Sequence, residues 1–144
     1  MADIVWVHGD CLRPTNPALV AYPEAPAIFV WDDALLRQRR ISLKRIAFMY
    51  EALLELPVTM YRGDVVAQID AFAQHQQATR IVTSASVAPR FRQIATQLRK
   101  RYTVVVLPEP EFVELSANSD IRRFTRYWNA VAPQLQEMAA RRAP

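Results

Sequence analysis

Apolar positions along the chain fall into two alternating patterns, and each predicts a different element. Three short continuous runs, Ile4–His8, Ala27–Trp31 and Thr103–Leu107, are rich in β-branched residues and too short for helices. They read as strands buried on both faces of a sheet. Val58–Tyr61 and Arg80–Thr83 are weaker runs in the same rhythm. Between them, apolar residues recur at helical spacing. In Ser42–Leu56 the residues Leu43, Ile46, Ala47, Tyr50, Leu53 and Leu54 form one stripe expected to face the core, with Lys44, Arg45, Glu51 and Glu55 mostly outside it. Ser42 suits the N-cap, because its hydroxyl can accept a hydrogen bond from an unpaired N–H of the first turn. Asp64 is expected to cap a helix that buries Val65, Ile69, Phe72 and Ala73 and leaves near Gln76. Pro89, tolerated in a first turn where no N–H partner is needed, opens a helix burying Phe91, Ile94, Ala95 and Leu98.

Five strands alternating with helices predict an α/β fold: a five-stranded, parallel, doubly wound (Rossmann-like) sheet with helices on both faces and a C-terminal helical tail. Pro108-Glu109-Pro110 breaks the alternation after the fifth strand. A tail starting near Ser119 is too long to be left structureless, and Ile121, Phe124, Trp128 and Val131 keep a helical stripe as far as Pro133. There the backbone loses a donor, so the helix is expected to stop or kink. The expected organisation is an α/β domain over residues 1–115 and a helical extension over 116–144 packed on the same domain.

Composition narrows the function classes. With 51% hydrophobic and 22% charged residues, the 144-residue chain can build one real core. No apolar run approaches the roughly 20 residues that span a bilayer, and Asp3 next to the initiator argues against a signal peptide. No membrane association and a cytoplasmic location are expected. One cysteine and two histidines are too few for a zinc or iron–sulfur site. The net charge is +4, with arginines at Arg37-Gln38-Arg39-Arg40, Arg99-Lys100-Arg101, Arg122-Arg123 and Arg141-Arg142. These clusters lie far apart and read as solvating helix faces, without the basic and aromatic interleaving of single-strand binders. Direct DNA binding is expected to be weak or absent.

In such a sheet, ligands bind beyond the carboxyl ends of the strands, where strand order reverses. The residues placed there are His8, Gly9, Asp10, Cys11 and Leu12, then Trp31, Asp32 and Asp33, then Gly63 and Asp64, then Ser84, Ala85 and Ser86, then Glu109. Acids outnumber bases among them. The two glycines, each followed by aspartate, build neither GxGxxG nor GxxxxGK[ST], which disfavours a nucleotide-binding domain of the usual kind. Gly9 could admit a flat ligand close to the backbone, and Asp10 could accept hydrogen bonds from it; equally, Gly9 could serve the turn and Asp10 the loop. Cys11 beside His8 is a weak candidate for a nucleophile–base pair, since most lone cysteines are small buried hydrophobes. Asp32-Asp33 could bind a cation or act as acid and base, but two acids opening a helix more often complement its dipole, and Trp31 either stacks on a ligand or joins the core.

Taken together, Trp6-Val7-His8-Gly9-Asp10, Leu12 and Asn16-Pro17-Ala18-Leu19 resemble the opening of the DNA photolyase/cryptochrome family. Ala27-Ile28-Phe29-Val30-Trp31-Asp32 resembles its second strand, Arg45-Ile46-Ala47-Phe48 with Glu51-Ala52-Leu53 its next helix, and Tyr61-Arg62-Gly63-Asp64 its third strand end. Pro89-Arg90-Phe91-Arg92 and Pro110-Glu111-Phe112-Val113 also occupy comparable places. The resemblance covers roughly residues 4 to 113, the family's N-terminal α/β antenna domain. It lacks the family's arginine directly after Asp-Leu, and Gly9-Asp10-Cys11-Leu12 is similar to the Gly-Asp-Gln-Leu of the iron–sulfur bacterial branch, whose antenna is a ribolumazine.

The resemblance implies an antenna chromophore of FMN, deazaflavin or ribolumazine type, held by His8, Gly9, Asp10, Cys11, Leu12, Trp31, Asp32, Arg45, Ser84 and Glu109. The family's helical domain, which carries the catalytic FAD, has no counterpart in these 144 residues, so repair by this chain alone is not expected. The chain is thus expected to act as an antenna or to dock on a separate FAD-bearing protein. A chromophore-free interaction module or homo-oligomer, with Phe124, Tyr127 and Trp128 on the tail helix as contacts, is the alternative.

Overall fold

The computed structural model describes residues 2–119 and 121–142. The chain divides into two compact units, Met1–Glu109 and Pro110–Pro144. In the first, strands β1 (Ala2–Val7), β2 (Ala27–Asp32), β3 (Val58–Gly63), β4 (Ala78–Ser84) and β5 (Thr103–Leu107) form one parallel sheet in the order β3-β2-β1-β4-β5. The strand connections are α1 (Pro17–Ala21), α2 (Asp33–Gln38) with α3 (Leu43–Leu54), α4 (Val65–His75) and α5 (Pro89–Leu98). Strand order reverses between β1 and β4, so that point lies near the centre of the sheet.

Alternation along the strands splits the core into two layers. Ile4, Trp6, Ile28, Val30 and Ile81 pack against α4 and α5 through Val65, Ile69, Phe72, Phe91, Ile94 and Leu98. Val5, Val7, Ala27, Phe29 and Val82 face the other way, onto Ala18, Leu19, Leu53 and Leu56. Each fully buried aliphatic side chain contributes about 1.5–3 kcal/mol, so these layers dominate the stability of the sheet. β1 and β2 are buried on both faces, as their composition predicts. β5 is an edge strand and is only half-buried, which corrects the expectation for Thr103–Leu107.

α4 and α5 carry the expected buried faces. α3 begins after its expected cap, with the Ser42 hydroxyl accepting from the Arg45 N–H, but it is turned differently about its axis. Leu53 and Leu56 are buried and Ile46 and Met49 half-buried, whereas Leu43, Ala47, Tyr50 and Leu54 face outwards. Apolar residues occupy most of this helix's circumference, so two stripes competed, and packing against Val5, Val7 and Phe29 selected one of them. The segment after β1 also holds a short helix, α1. Asn16 caps α1 by accepting from the N–H groups of Ala18 and Leu19, and Pro17 stands where no N–H is needed.

In the second unit, helix α6 (Phe124–Arg142) starts later than Ser119 and continues through Pro133, so of the expected stop or kink the stop does not occur. A proline removes one bond of the ladder, and the helix-forming run Gln134–Arg142 continues beyond it. Glu114 is tied to this helix by two bonds, its N–H donating to Gln134 Oε1 (2.8 Å) and its carbonyl accepting from Gln134 Nε2 (2.7 Å). Phe124 stacks on Trp128 with ring centroids 6.2 Å apart. Among the described residues, no helix is long and apolar enough to cross a membrane.

Gly63 ends β3 with φ +137°, a conformation that side chains rarely adopt. Gly63→Ala is therefore expected to lower stability by about 1–3 kcal/mol in urea unfolding. A variant with unchanged midpoint would contradict the backbone argument.

Candidate functional site

A cleft of about 560 Å³ opens beyond the carboxyl ends of β1 and β2. One wall is the start of α5, from Ala88 to Phe91; the other comprises α2 and α3, through Leu35, Leu36, Arg39, Arg45 and Met49. Its floor is formed by Trp6, Phe29 and Val30, with His8, Gly9 and Asp10 crossing it.

The floor is held by aromatic packing and a buried polar chain. Trp6 stacks on Phe91 with centroids 5.2 Å apart, and the His8 ring meets Phe91 edge-on at 5.0 Å. His8 Nε2 lies 2.8 Å from the Ser84 carbonyl oxygen, and the Asp10 N–H donates to His8 Nδ1 at 3.3 Å. Because a carbonyl only accepts, His8 carries its proton on Nε2. The Ser84 hydroxyl donates to Asn16 Oδ1 (2.7 Å), and Asn16 Nδ2 donates to the Cys11 carbonyl (2.9 Å). Asn16 and Ser84 are fully buried, so the chain joins β4, α1 and the loop after β1 without an open polar group between them.

The acids at the strand ends are engaged. Asp32 caps α2 through the Leu35 N–H and accepts two hydrogen bonds from Arg90, at 2.9 and 3.1 Å. Asp33 pairs with Arg62 at 2.6 Å, Asp64 caps α4, Asp10 accepts from the Ser86 hydroxyl, and Glu109 pairs with Arg13. The excess of acids visible in the sequence therefore does not give an acidic site. Arg39 and Arg45 line the cleft with side chains that make no ion pair or hydrogen bond among the described residues. Arg39, Arg45 and Arg90 against Asp10 and Asp32 leave the cleft lining with a net positive charge.

Six sequence-predicted residues line the cleft: His8, Gly9, Asp10, Trp31, Asp32 and Arg45. Cys11, Leu12, Ser84 and Glu109 are not part of its wall. Cys11 is buried, and burial together with the neighbouring Glu109 pushes its thiol up to about 11. Both His8 nitrogens are already engaged, so they do not serve Cys11 as a base. Trp31 does two things at once, meeting Phe29 edge-on at 5.2 Å and lining the cleft. Gly9 has no positive φ, and a Cβ there would meet only the Met49 methyl, at 3.4 Å. The turn itself thus makes no demand for glycine.

Sequence reasoning missed Arg39, which looked like one more solvating charge in Arg37–Arg40, and the apolar wall of Leu35, Leu36 and Met49. No signal short of the helix rotation would have found Met49. Among the described residues, no group of three or more His, Cys, Asp or Glu side chains could hold a metal ion.

No protein-family model matches the chain, and no curated protein sequence does. Among solved structures, it is similar to a bacterial class III photolyase from Agrobacterium tumefaciens, with a TM-score of 0.59 and 20% identity. The match covers 91% of this chain and 31% of that one. At this identity the likeness establishes the fold: the chain has a photolyase-like α/β architecture.

Two outcomes follow for the site's framework. Asp32→Ala removes a helix cap and a paired buried carboxylate, and is expected to cost about 2–3 kcal/mol in urea unfolding, mostly independent of any ligand; a loss below about 0.5 kcal/mol would show the pair to be idle. The raised Cys11 thiol favours the folded state below its ordinary value near 9, and this contribution is lost as pH rises towards 11. Its native reaction with a disulfide reagent at pH 8 should be about a hundredfold slower than in denaturant, and equal rates would contradict its burial.

Proposed function

We propose that this domain binds a planar, aromatic, anionic chromophore of the flavin type in the cleft, and acts as a light-harvesting antenna for an FAD-bearing acceptor lying outside these 144 residues. The observation that carries this reading is the pairing of a largely apolar, aromatic-floored cleft with two uncompensated guanidinium groups, Arg39 and Arg45. An apolar cleft with a few orienting polar groups is the usual form of a small-molecule site. Gly9 supports the same reading, since neither its backbone angle nor its packing calls for a glycine, whereas close approach of a flat ring does.

Each part of the cleft has a role in this scheme. Trp31 offers an aromatic surface for the ring. Asp10, anchored by Ser86, offers acceptor lone pairs to ring N–H or ribityl hydroxyl groups. Arg39 and Arg45 attract the phosphate or another acidic substituent. Asp32 and His8 act indirectly, fixing α5 and the loop after β1 as rigid walls. The photolyase-like architecture agrees with this assignment.

The test is a fluorescence-anisotropy titration with FMN, riboflavin, a deazaflavin and a ribolumazine. FMN is expected to bind more tightly than uncharged riboflavin, by about tenfold, the ratio that one charge-assisted hydrogen bond gives. Arg39→Ala with Arg45→Ala should abolish that preference while leaving riboflavin binding unchanged, and Asp10→Ala should weaken all four. Gly9→Val should block binding with the circular dichroism spectrum preserved. Failure of all four ligands to bind would refute the proposal.

A further inference from the structure

The outward stripe of α3 is an exposed apolar feature that the cleft does not use. Leu43 is 84% exposed, Leu54 61% and Tyr50 47%, with Ala47 open between them. These four residues stand at spacings of four, three and four, the repeat by which one helix seats against another. Such a run on a free surface marks an interaction site. The flanking charges say what covers it. Lys44 and Glu51 lie along the same edge of the stripe, seven residues apart, and neither has an ion-pair partner among the described residues. If two copies of α3 lie antiparallel, Leu43 meets Leu54 of the other copy and the small Ala47 receives its Tyr50. In that same register Lys44 falls opposite the other copy's Glu51, and the twofold repeats the pair. A parallel arrangement does not bring these two side chains together, because there each faces the other flank of the partner helix. Apolar pattern, size complementarity and charge therefore agree on one register.

We propose that α3 is a self-association surface, through which two copies of this chain pair antiparallel about a twofold axis. The contact leaves the cleft accessible, because Arg45 and Met49 project from a different side of the helix. One pair of helices covers less than the about 800 Å² per partner of a standard interface, so a dimer with micromolar or weaker affinity is expected.

Sedimentation equilibrium of the full chain over about 1 µM to 1 mM, without ligand, tests this directly. The expected result is a concentration-dependent monomer–dimer equilibrium. Glu51→Lys should weaken it about tenfold by setting like charges together, and adding Lys44→Glu to the same chain should restore it to within about threefold. Leu54→Asp should leave only monomer, and because Leu54 is exposed this variant keeps the fold. A monomer throughout, a dimer indifferent to Leu54→Asp, or a charge-swapped chain that stays as weak as the single reversal would overturn the proposal. None of these variants lines the cleft, so chromophore binding and self-association stand or fall separately.

Discussion

The hydrogen-bond chain from His8 through Ser84 to Asn16 fixes the place where strand order reverses, and the rest of the site depends on it. At that point two neighbouring strands send their connections to opposite faces of the sheet, which leaves a crevice at their carboxyl ends. A crevice is useful only if its floor is rigid. Here the buried Asn16 and Ser84 and the half-buried His8 satisfy one another and the backbone, so the loop after β1 cannot shift without leaving donors and acceptors unpaired, at a cost of about 1–3 kcal/mol for each one buried. Trp6, His8 and Phe91 complete the floor by packing ring against ring, which couples that loop to α5. Asp32, pairing with Arg90, ties α5 to β2 from the other side.

Much of this was legible in the sequence. β-branched runs located all five strands; in the central ones burial on both faces leaves little choice of residue, whereas the edge strands β3 and β5 are less buried. α4 and α5 were legible to the residue, since each has a single apolar stripe and a recognisable start, at Asp64 and at Pro89. α3 was not, because its apolar residues outnumber the positions that the sheet can cover. The rotation that brings Leu53 and Met49 inwards is decided by Val5, Val7 and Phe29, residues far away in the chain. The course of α6 through Pro133 was hidden for a related reason: a proline's local cost is outweighed by the helix-forming residues on either side of it.

The electrostatic character of the cleft shows the same limit from another direction. Counting charges along the strand ends gave an acidic site, yet in three dimensions every one of those acids meets a cap, a hydroxyl or a guanidinium. What remains is set by the residues that have no partner, and a linear sequence does not display partners. Arg39 and Arg45 acquire their significance only by exclusion, and α3 serves both faces of the argument, presenting Arg45 and Met49 to the cleft and its second apolar stripe to the outside.

The central claim is that the crevice at the strand reversal receives a planar anion on the loop after β1. The most direct measurement is a ¹⁵N-resolved chemical-shift titration with FMN, following each backbone amide and the tryptophan indole groups. Saturable shifts concentrated at Gly9, Asp10, the Trp31 indole and residues 39–49 are the expected result. Saturable shifts that leave this set untouched and fall on α6 would place the ligand elsewhere and contradict the claim.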